Sequence, residues 1–595
     1  MGTTTDQTVV VLRGGQWLLT AADPETVWTP ERITEEQRLI ARTTEEFVVN
    51  EVLPQLDALE KKDWAVARRL LARCGELGLL SVDVAEEYGG MQLDKMTSMI
   101  VSERMAQTAS FGATFGAQTN LTILPLSLFG TEAQKRKYLP KLVAGDIVGA
   151  YCLSESGSGS DALGAKTEAR RQPDGSFVLN GEKMWITNGG FADIFIVFAK
   201  VDGEHFTAFI VERAFAGVTS GKEEHKMGLN GSSTTPILLQ NVRVPADGVL
   251  GEIGKGHKVA FNVLNFGRFK LGAMCAGGAK HAIGESARYA AQRKQFGQPI
   301  ASFGAIKHKL GEMVVRTYAI ESLLYRTAGM IDARVGQTTE NPADPSAALA
   351  ALEEYAIEAS IAKVAGSEVL NDVLDENIQV HGGNGYVRDY PAERHYRDSR
   401  VNRIFEGTNE INRLLISGIL ARRAVKGDLP IIAAAKALQD ELMGPPAQPA
   451  GDDTPLADER RAVEAFRKIA LMIVGLALQT YGQKLQDEQE VLMLATDILI
   501  DVYAADSAVL RATVAAAQKA PRAALHVDAA RVFVSDAAIR IDGCARQALA
   551  AMTDGDTLRT VLAALRRLSK LAPVNTVALR RRLADEAVAR GGYIF

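Results

Sequence analysis

The hydrophobic period of this chain changes twice, from helical to alternating near Ala150 and back to helical near Lys255. Apolar residues three and four apart line one side of a helix, whereas strict alternation lines one face of a strand, so neither segment can fold as the other. From Thr29 to about Gly145 the pattern predicts helices. An entry segment has Thr34 before EEQRLIARTTEEFVVNEVL, then come Asp63 to Leu80 and Met96 to Ala109, with a loop at Glu86-Glu87-Tyr88-Gly89-Gly90. Tyr151 to about Gly251 reads as a compact β domain. Phe177 to Leu179 lead into Asn180-Gly181, a strong short hairpin signal, then Lys183 to Thr187 and the Asn188-Gly189-Gly190 turn. Ile194 to Ala199, Phe206 to Val211 and Ile237 to Leu239 continue the alternation.

Helical periodicity then runs to Lys426, interrupted by the polar loop Gly336 to Ser346, and four long helices fit it. The last follows Thr408 as N-cap, with Ile411, Leu414, Leu415 and Ile419 expected on its buried face. A linker reads from Gly444 to Asp453, with Thr454 and Pro455 as N-cap and first-turn proline of a renewed helix. Val463, Phe466, Ala470 and Ile473 give the following region one apolar stripe. The expected domains are 29–149 (helical), 150–253 (β), 254–427 (helical bundle), a linker over 428–455, and 456–595 (helical). The fold class is thus mainly α with a central β domain.

A chain of 595 residues exceeds one ordinary core, which agrees with several packed domains. The net charge of -5, spread over 67 basic and 72 acidic residues, gives no reason to expect nucleic acid. Cys74, Cys152, Cys275 and Cys544 lack metal-ligand spacing, and the eight dispersed histidines offer no pair to complete a metal site. Reduced thiols in a cytoplasmic protein are the expectation. The start MGTTTDQTVVVLRGG has no basic leader, only Val9 to Leu12 as an apolar run, and does not read as a signal peptide. The most apolar stretch, near Ile469 to Leu478, is about half what a spanning helix needs.

Five short motifs carry the chemistry. RIFEGTNEI (Arg403 to Ile411) puts the carboxylate of Glu406 in a loop at the mouth of a helix, where it can act as a base. AYCLSESGSGSD (Ala150 to Asp161) has small residues that let backbone N–H groups approach anionic oxygens. KMWITNGG (Lys183 to Gly190) places Trp185 and Thr187 on the same side of one strand. RKQFG (Arg293 to Gly297) supplies a fork-shaped phosphate donor, and QVHGGNGY (Gln379 to Tyr386) completes the set.

In this order and wording the motifs resemble the acyl-CoA dehydrogenase family over Thr29 to about Lys426, and the C-terminal region makes the chain most similar to the long-chain and very-long-chain branch. The resemblance implies bound FAD and a helical domain, β-barrel and four-helix bundle. It also implies α,β-dehydrogenation of a fatty acyl-CoA to the trans-2-enoyl-CoA in β-oxidation, with electrons passing to electron-transfer flavoprotein. Removing the α proton needs a base, and the resemblance makes Glu406 that base, tuned toward neutral pH by desolvation. It assigns the thioester carbonyl to the Glu406 backbone N–H and a ribityl hydroxyl, with Gly407, Ser160, Asn265 and Arg268 also at the substrate. Asn265 stands where the family commonly has aspartate. FAD contacts fall to Tyr151, Leu153, Ser154, Gly159, Ser160, Trp185, Ile186, Thr187, Thr408 and Glu410. They fall also to Arg293, Gln295, Phe296, Gln379, Gly382 and Gly383, a group that in the family reaches the FAD of a neighbouring subunit. Ser154 replaces the usual threonine and Ser156 the usual proline, which puts the rigidity of that loop in question.

An acyl-CoA oxidase and a non-catalytic assembly scaffold are alternatives on the same fold. Intact Glu406, Trp185 and Arg293 favour catalysis. In the long-chain branch an extension such as 456–595 goes with a homodimer and with peripheral membrane contact at the inner face. Packing against the bundle is the reading its apolar stripes favour, although Arg580-Arg581-Arg582 is compatible with anionic lipid. By similarity Gln118 to Leu128 lines the far end of the acyl pocket, with Thr122 where a bulky side chain would close it.

Overall fold

A computed structural model describes residues 11–444 and 454–595. Most of the expected linker, 445–453, and part of the Val9 to Leu12 run lie outside the described residues. The expected order holds: helices, a central sheet, long helices, and a further helical region. Thr34 caps Glu35–Phe47 in a capping box with Gln37, and Asp63 caps Trp64–Glu76.

The sheet has eight strands: β1 Gly149–Cys152, β2 Glu168–Arg171, β3 Phe177–Thr187, β4 Ile194–Val201, β5 His205–Glu212, β6 Val218–Ser220, β7 Thr234–Val244 and β8 Val249–Leu250. Its order is β6-β7-β3-β2-β4-β5-β8, with β1 parallel to β4. Among the described strands the terminal β6 and β8 do not pair, so the sheet is open and the expected barrel does not close. Asn180-Gly181 makes no hairpin. β3 runs straight through it beside β7 with a register shift between Leu179 and Gly181. The Asn180 amide exchanges hydrogen bonds with Asn241 instead, which turns a turn signal into a bulge.

The bundle is built on Gly256–Gln292, Gly304–Gly336, Ala356–His381 and Asn409–Lys426. The first and third cross closely at two glycines. A Cβ on Gly366 would stand 3.0 Å from Cα of Gly272, and one on Gly272 would stand 2.7 Å from the Ala362 carbonyl oxygen. Asn409–Lys426 buries Asn412, Ile416, Leu420 and Ala424, while Ile411 is exposed and Leu415 only half-buried. The helix is rotated from the expected face because Asn412 turns inward to the loop before it, as described below.

Two elements depart from the expected C-terminal layout. Ile431–Met443 is helical within the span expected as linker, and the next helix starts at Ala457 after Leu456 rather than at a Thr454 cap. Ala457–Tyr481 buries Val463, Phe466, Ala470 and Ile473 as expected. The extension shares one continuous apolar core with the bundle. Buried ion pairs cross that boundary: Arg511 with Glu321 at 2.6 Å, and Arg326 with Asp506 at 2.8 Å. In the Arg580–Arg582 run, Arg580 is buried against Glu312 and Asp536, and Arg582 pairs with Asp528 at 2.7 Å. Two of those three charges are therefore neutralised inside the chain. Among the described residues no helix is long and apolar enough to cross a membrane, and the four cysteines are free.

Candidate active site

Glu406 and Gly407 both adopt left-handed backbone, φ 57° and 78°, a conformation that costs a non-glycine residue free energy unless its surroundings hold it. They do so through the loop carbonyls. Arg268 Nε donates to the Glu406 carbonyl at 3.1 Å, and Lys363 Nζ to the Gly407 carbonyl at 2.8 Å. Asn412 Nδ2 reaches the carbonyls of Gly407 and Thr408 at 2.8 and 3.0 Å. Thr408 then caps the helix by accepting from Ile411 N–H at 3.2 Å. The loop is thus fixed from three helices, with the Gly272–Gly366 crossing about one turn beyond Arg268 and Lys363.

The Glu406 side chain points into a cavity of about 120 Å³. Its Oε2 is buried with no hydrogen-bond partner. Burial raises the carboxyl to about 7, against the opposing pull of Arg268 and Lys363. Both cations are themselves buried; burial lowers the Arg268 guanidinium and takes the Lys363 ammonium down to about 8. Arg268 Nη1 also donates to Asn265 Oδ1 at 3.0 Å, so Asn265 orients Arg268. Thr187 also lines the cavity, and Ala109, Gly112, Ala113, Gly116 and Ala117 give one wall a face of small residues. Thr122 is absent from that lining. It packs against Gly149, where a Cβ would stand 2.1 Å from its methyl, so Asn120 and Leu121 line the cavity instead.

Tyr151 on β1 lies close enough to Glu406 to feel its charge, and its buried hydroxyl has no partner. The 154–160 loop is braced without the missing proline. Glu155 and Ser158 exchange backbone hydrogen bonds at 2.9 and 3.1 Å. The Glu155 carboxylate accepts from Lys166 N–H, Thr167 and Lys183 Nζ, the last at 2.7 Å. Neither Glu155 nor Lys183 stands out from sequence as a site residue, since Lys183 follows Glu182 and reads as an exposed charge. Ser154 is half-buried, whereas Ser156, Gly157, Gly159 and Ser160 are exposed, and a Cβ at either glycine would meet nothing within 4 Å. Leu153 and Ile186 are buried in the sheet. Trp185 has φ 57° at the β3 irregularity and is 56 % exposed. That irregularity resets the alternation: Lys183 is buried and Trp185, two residues on, faces out with Thr187. The exposed indole of Trp185, the open small-residue loop and the orphaned Tyr151 hydroxyl and Glu406 carboxyl oxygens fit a flat, polar-edged ligand carrying phosphates.

The remaining candidates stand elsewhere. Arg293 ends the Gly256–Gln292 helix, and Lys294–Gln295 pairs with Gln298–Pro299 in a tight hairpin whose tip is Phe296 and Gly297, φ 51° and 81°. Phe296 is 92 % exposed. Gln379, Gly382 and Gly383 are exposed at the same end, where Tyr289 donates to the His381 carbonyl at 3.2 Å. Twenty-five helical rises separate Arg268 from Arg293, about 37 Å along the axis, so one chain does not bring this group to Glu406. Glu410 is exposed in the first turn of its helix.

Two histidines remote in sequence also meet. His281 and His395 have ring centroids 5.6 Å apart and line the Glu406 cavity, contrary to the expectation that no pair forms.

Comparison with known proteins agrees with this geometry. Models of the acyl-CoA dehydrogenase N-terminal, middle and C-terminal domains match residues 34–146, 150–242 and 254–421, and a further acyl-CoA dehydrogenase C-terminal domain model matches 465–567. A probable acyl-CoA dehydrogenase of Bacillus subtilis (strain 168) is 47% identical over 577 residues, 96% of this chain and 97% of that protein. The human very long-chain specific acyl-CoA dehydrogenase, mitochondrial, is 42% identical over 353 residues, 58% of this chain and 51% of that protein. The crystal structure of an acyl-CoA dehydrogenase from Bacillus anthracis, complexed with FAD, superposes with a TM-score of 0.96 at 48% identity, covering 98% of this chain and 100% of that one. With domain models across most of its length and relatives matched almost end to end, this chain belongs to the acyl-CoA dehydrogenase family.

Proposed function

We propose that the chain catalyses FAD-dependent α,β-dehydrogenation of long-chain fatty acyl-CoA, with Glu406 taking the α proton and electron-transfer flavoprotein as the electron acceptor. The observation that carries this reading is the orphaned Glu406 carboxylate, raised to about 7 and aimed into an apolar cavity. A base of that strength is about half ionised at neutral pH and holds a proton once it has taken one. Arg268, Lys363 and Asn412 pin the loop carbonyls, which leaves the Glu406 N–H free of them to polarise a thioester oxygen. Bound FAD supplies the hydride acceptor. Trp185, Thr187, Tyr151, Ser154 and the 156–160 loop would hold it, and Trp185 would exclude water from one side.

The small-residue wall from Ala109 to Ala117 supports a long acyl chain, since no side chain beyond Cβ projects from Ala113 or Ala117. Similarity to the very long-chain specific enzymes points the same way. Arg293, Phe296 and Gln379 serve the FAD of a second copy, in a homodimer, because they lie too far along the bundle to serve their own. We take 29–149, 150–253, 254–427 and 456–595 as the working domains. The test is Glu406→Gln: FAD stays bound, and acyl-CoA no longer bleaches the flavin in stopped-flow absorbance. Rapid bleaching in that variant would assign the base elsewhere.

A further inference from the structure

His281 and His395 line the same cavity as Glu406, and with Glu285 they bring three possible donor atoms together. His281 and Glu285 sit four apart on the Gly256–Gln292 helix, so they share a face. His395 comes from Ala392–Ser399, 114 residues later in sequence. Both imidazole Nε2 atoms lie 3.3 Å from the same carboxylate oxygen, Glu285 Oε1. The three donor atoms all fall within 4.8 Å of one another. In a tetrahedral site with bonds near 2.0–2.1 Å, neighbouring donors stand about 3.3–3.4 Å apart, which the two imidazole–carboxylate separations match.

We propose that His281, Glu285 and His395 form a binding site for a divalent transition-metal ion of the zinc class, separate from the dehydrogenation chemistry. Glu285 is already oriented as a ligand would be, since its second oxygen accepts from Asn377 Nδ2 at 3.1 Å, and Asn377 Oδ1 in turn accepts from Ser286 Oγ at 2.6 Å. Such outer partners hold a ligating carboxylate in place before an ion arrives. Both imidazoles border the cavity, which gives an ion a route in and leaves its fourth position to water or another small donor. A His₂-carboxylate set excludes hard oxygen-seeking cations such as magnesium in favour of zinc, cobalt or nickel.

The experiment uses the FAD-loaded full chain, stripped with a chelating resin and titrated with Co²⁺ and then Zn²⁺ alone, read by visible d–d absorption and elemental analysis. One ion per chain, a tetrahedral cobalt band and its loss on adding zinc are expected. His281→Gln, His395→Gln and Glu285→Gln should each weaken binding by roughly tenfold or more. Substoichiometric binding, or the same affinity in the three variants, overturns the proposal. Should a variant not fold, imidazole acylation of the wild-type chain mapped by mass spectrometry decides: zinc should protect His281 and His395 but not the exposed His205, and equal labelling with and without zinc overturns it.

Discussion

Gly267 and Glu406 are in direct opposition: a Cβ built on Gly267 would stand 2.7 Å from Oε2 of Glu406. The glycine therefore makes the space in which the carboxylate rests, one residue before the arginine that holds its backbone. Gly267→Ala should displace the carboxylate without unfolding the helix, since the far end of a side chain can move. Misplacing a reacting group by about 1 Å costs on the order of a hundredfold. We expect flavin reduction by acyl-CoA to slow by about that factor while FAD content and melting temperature hold. An unchanged rate would mean that the Glu406 carboxylate works from another rotamer.

Glu406 also sets a pH dependence with a definite sign. Its carboxyl is raised by burial to about 7 in the folded chain and returns to its ordinary value on unfolding. The folded state thus binds the proton more tightly, and its ionisation costs stability. That cost is absent below the ordinary carboxyl range, grows as pH rises and is complete above about 7, where it amounts to roughly 3 kcal/mol. Glu406→Gln should therefore be more stable than wild type at pH 8 and equal to it near pH 4, by denaturant titration. In wild type the rate of α-proton removal should rise with pH to a plateau above about 7.

Lys363 tests the loop brace. Its ammonium donates to the Gly407 carbonyl at 2.8 Å and to Asn409 Oδ1 at 2.6 Å, and its charge lowers Glu406. Lys363→Met removes both effects. The pH–rate limb should move to higher pH, and the rate at neutral pH should fall by about tenfold or more. A lower rate with an unmoved limb would assign Lys363 a purely structural role.

The sequence reveals the chemistry of this site better than its supports. Glu406, Arg268 and the Ser/Gly loop are readable because each lies in a contiguous motif whose residue types suit one chemical role. Lys363 and Glu155 escape such a reading because they act on backbone groups outside their own motifs, 44 and 12 residues away, and Asn412 because it turns back on the carbonyls four and five residues before it, which its place in an apolar helix does not signal. The His281–His395 pair is invisible for the same reason. Local signals also lose to tertiary ones. Asn180-Gly181 favours a turn, yet pairing with β7 on both sides keeps the strand running and leaves only a bulge. The buried face of the Asn409–Lys426 helix differs from its apolar stripe because Asn412, a polar residue, is buried to serve the loop.

The Gly272–Gly366 crossing predicts a stability defect of a different kind. A Cβ at Gly272 would meet the Ala362 carbonyl oxygen at 2.7 Å and carbon at 2.9 Å, backbone atoms that cannot rotate away. Gly272→Ala should push the Gly256–Gln292 and Ala356–His381 helices apart, costing about 1–3 kcal/mol and lowering the melting temperature.

The wall of the cavity gives the test of chain length. Ala113 and Ala117 both line it, on the helix Ala109–Gln118 that faces Gly267, Leu271 and Met274. Ala113→Leu adds three carbons to a space of about 120 Å³, which removes room for several methylenes of substrate. Each methylene denied burial forfeits about 0.8 kcal/mol of binding. The variant should lose kcat/KM progressively with acyl length while activity on short acyl-CoA persists, because Glu406 and its loop are untouched. A uniform loss across lengths would show that the chain takes another path from the thioester, and equal activity at all lengths would show that Ala113 lies off that path altogether.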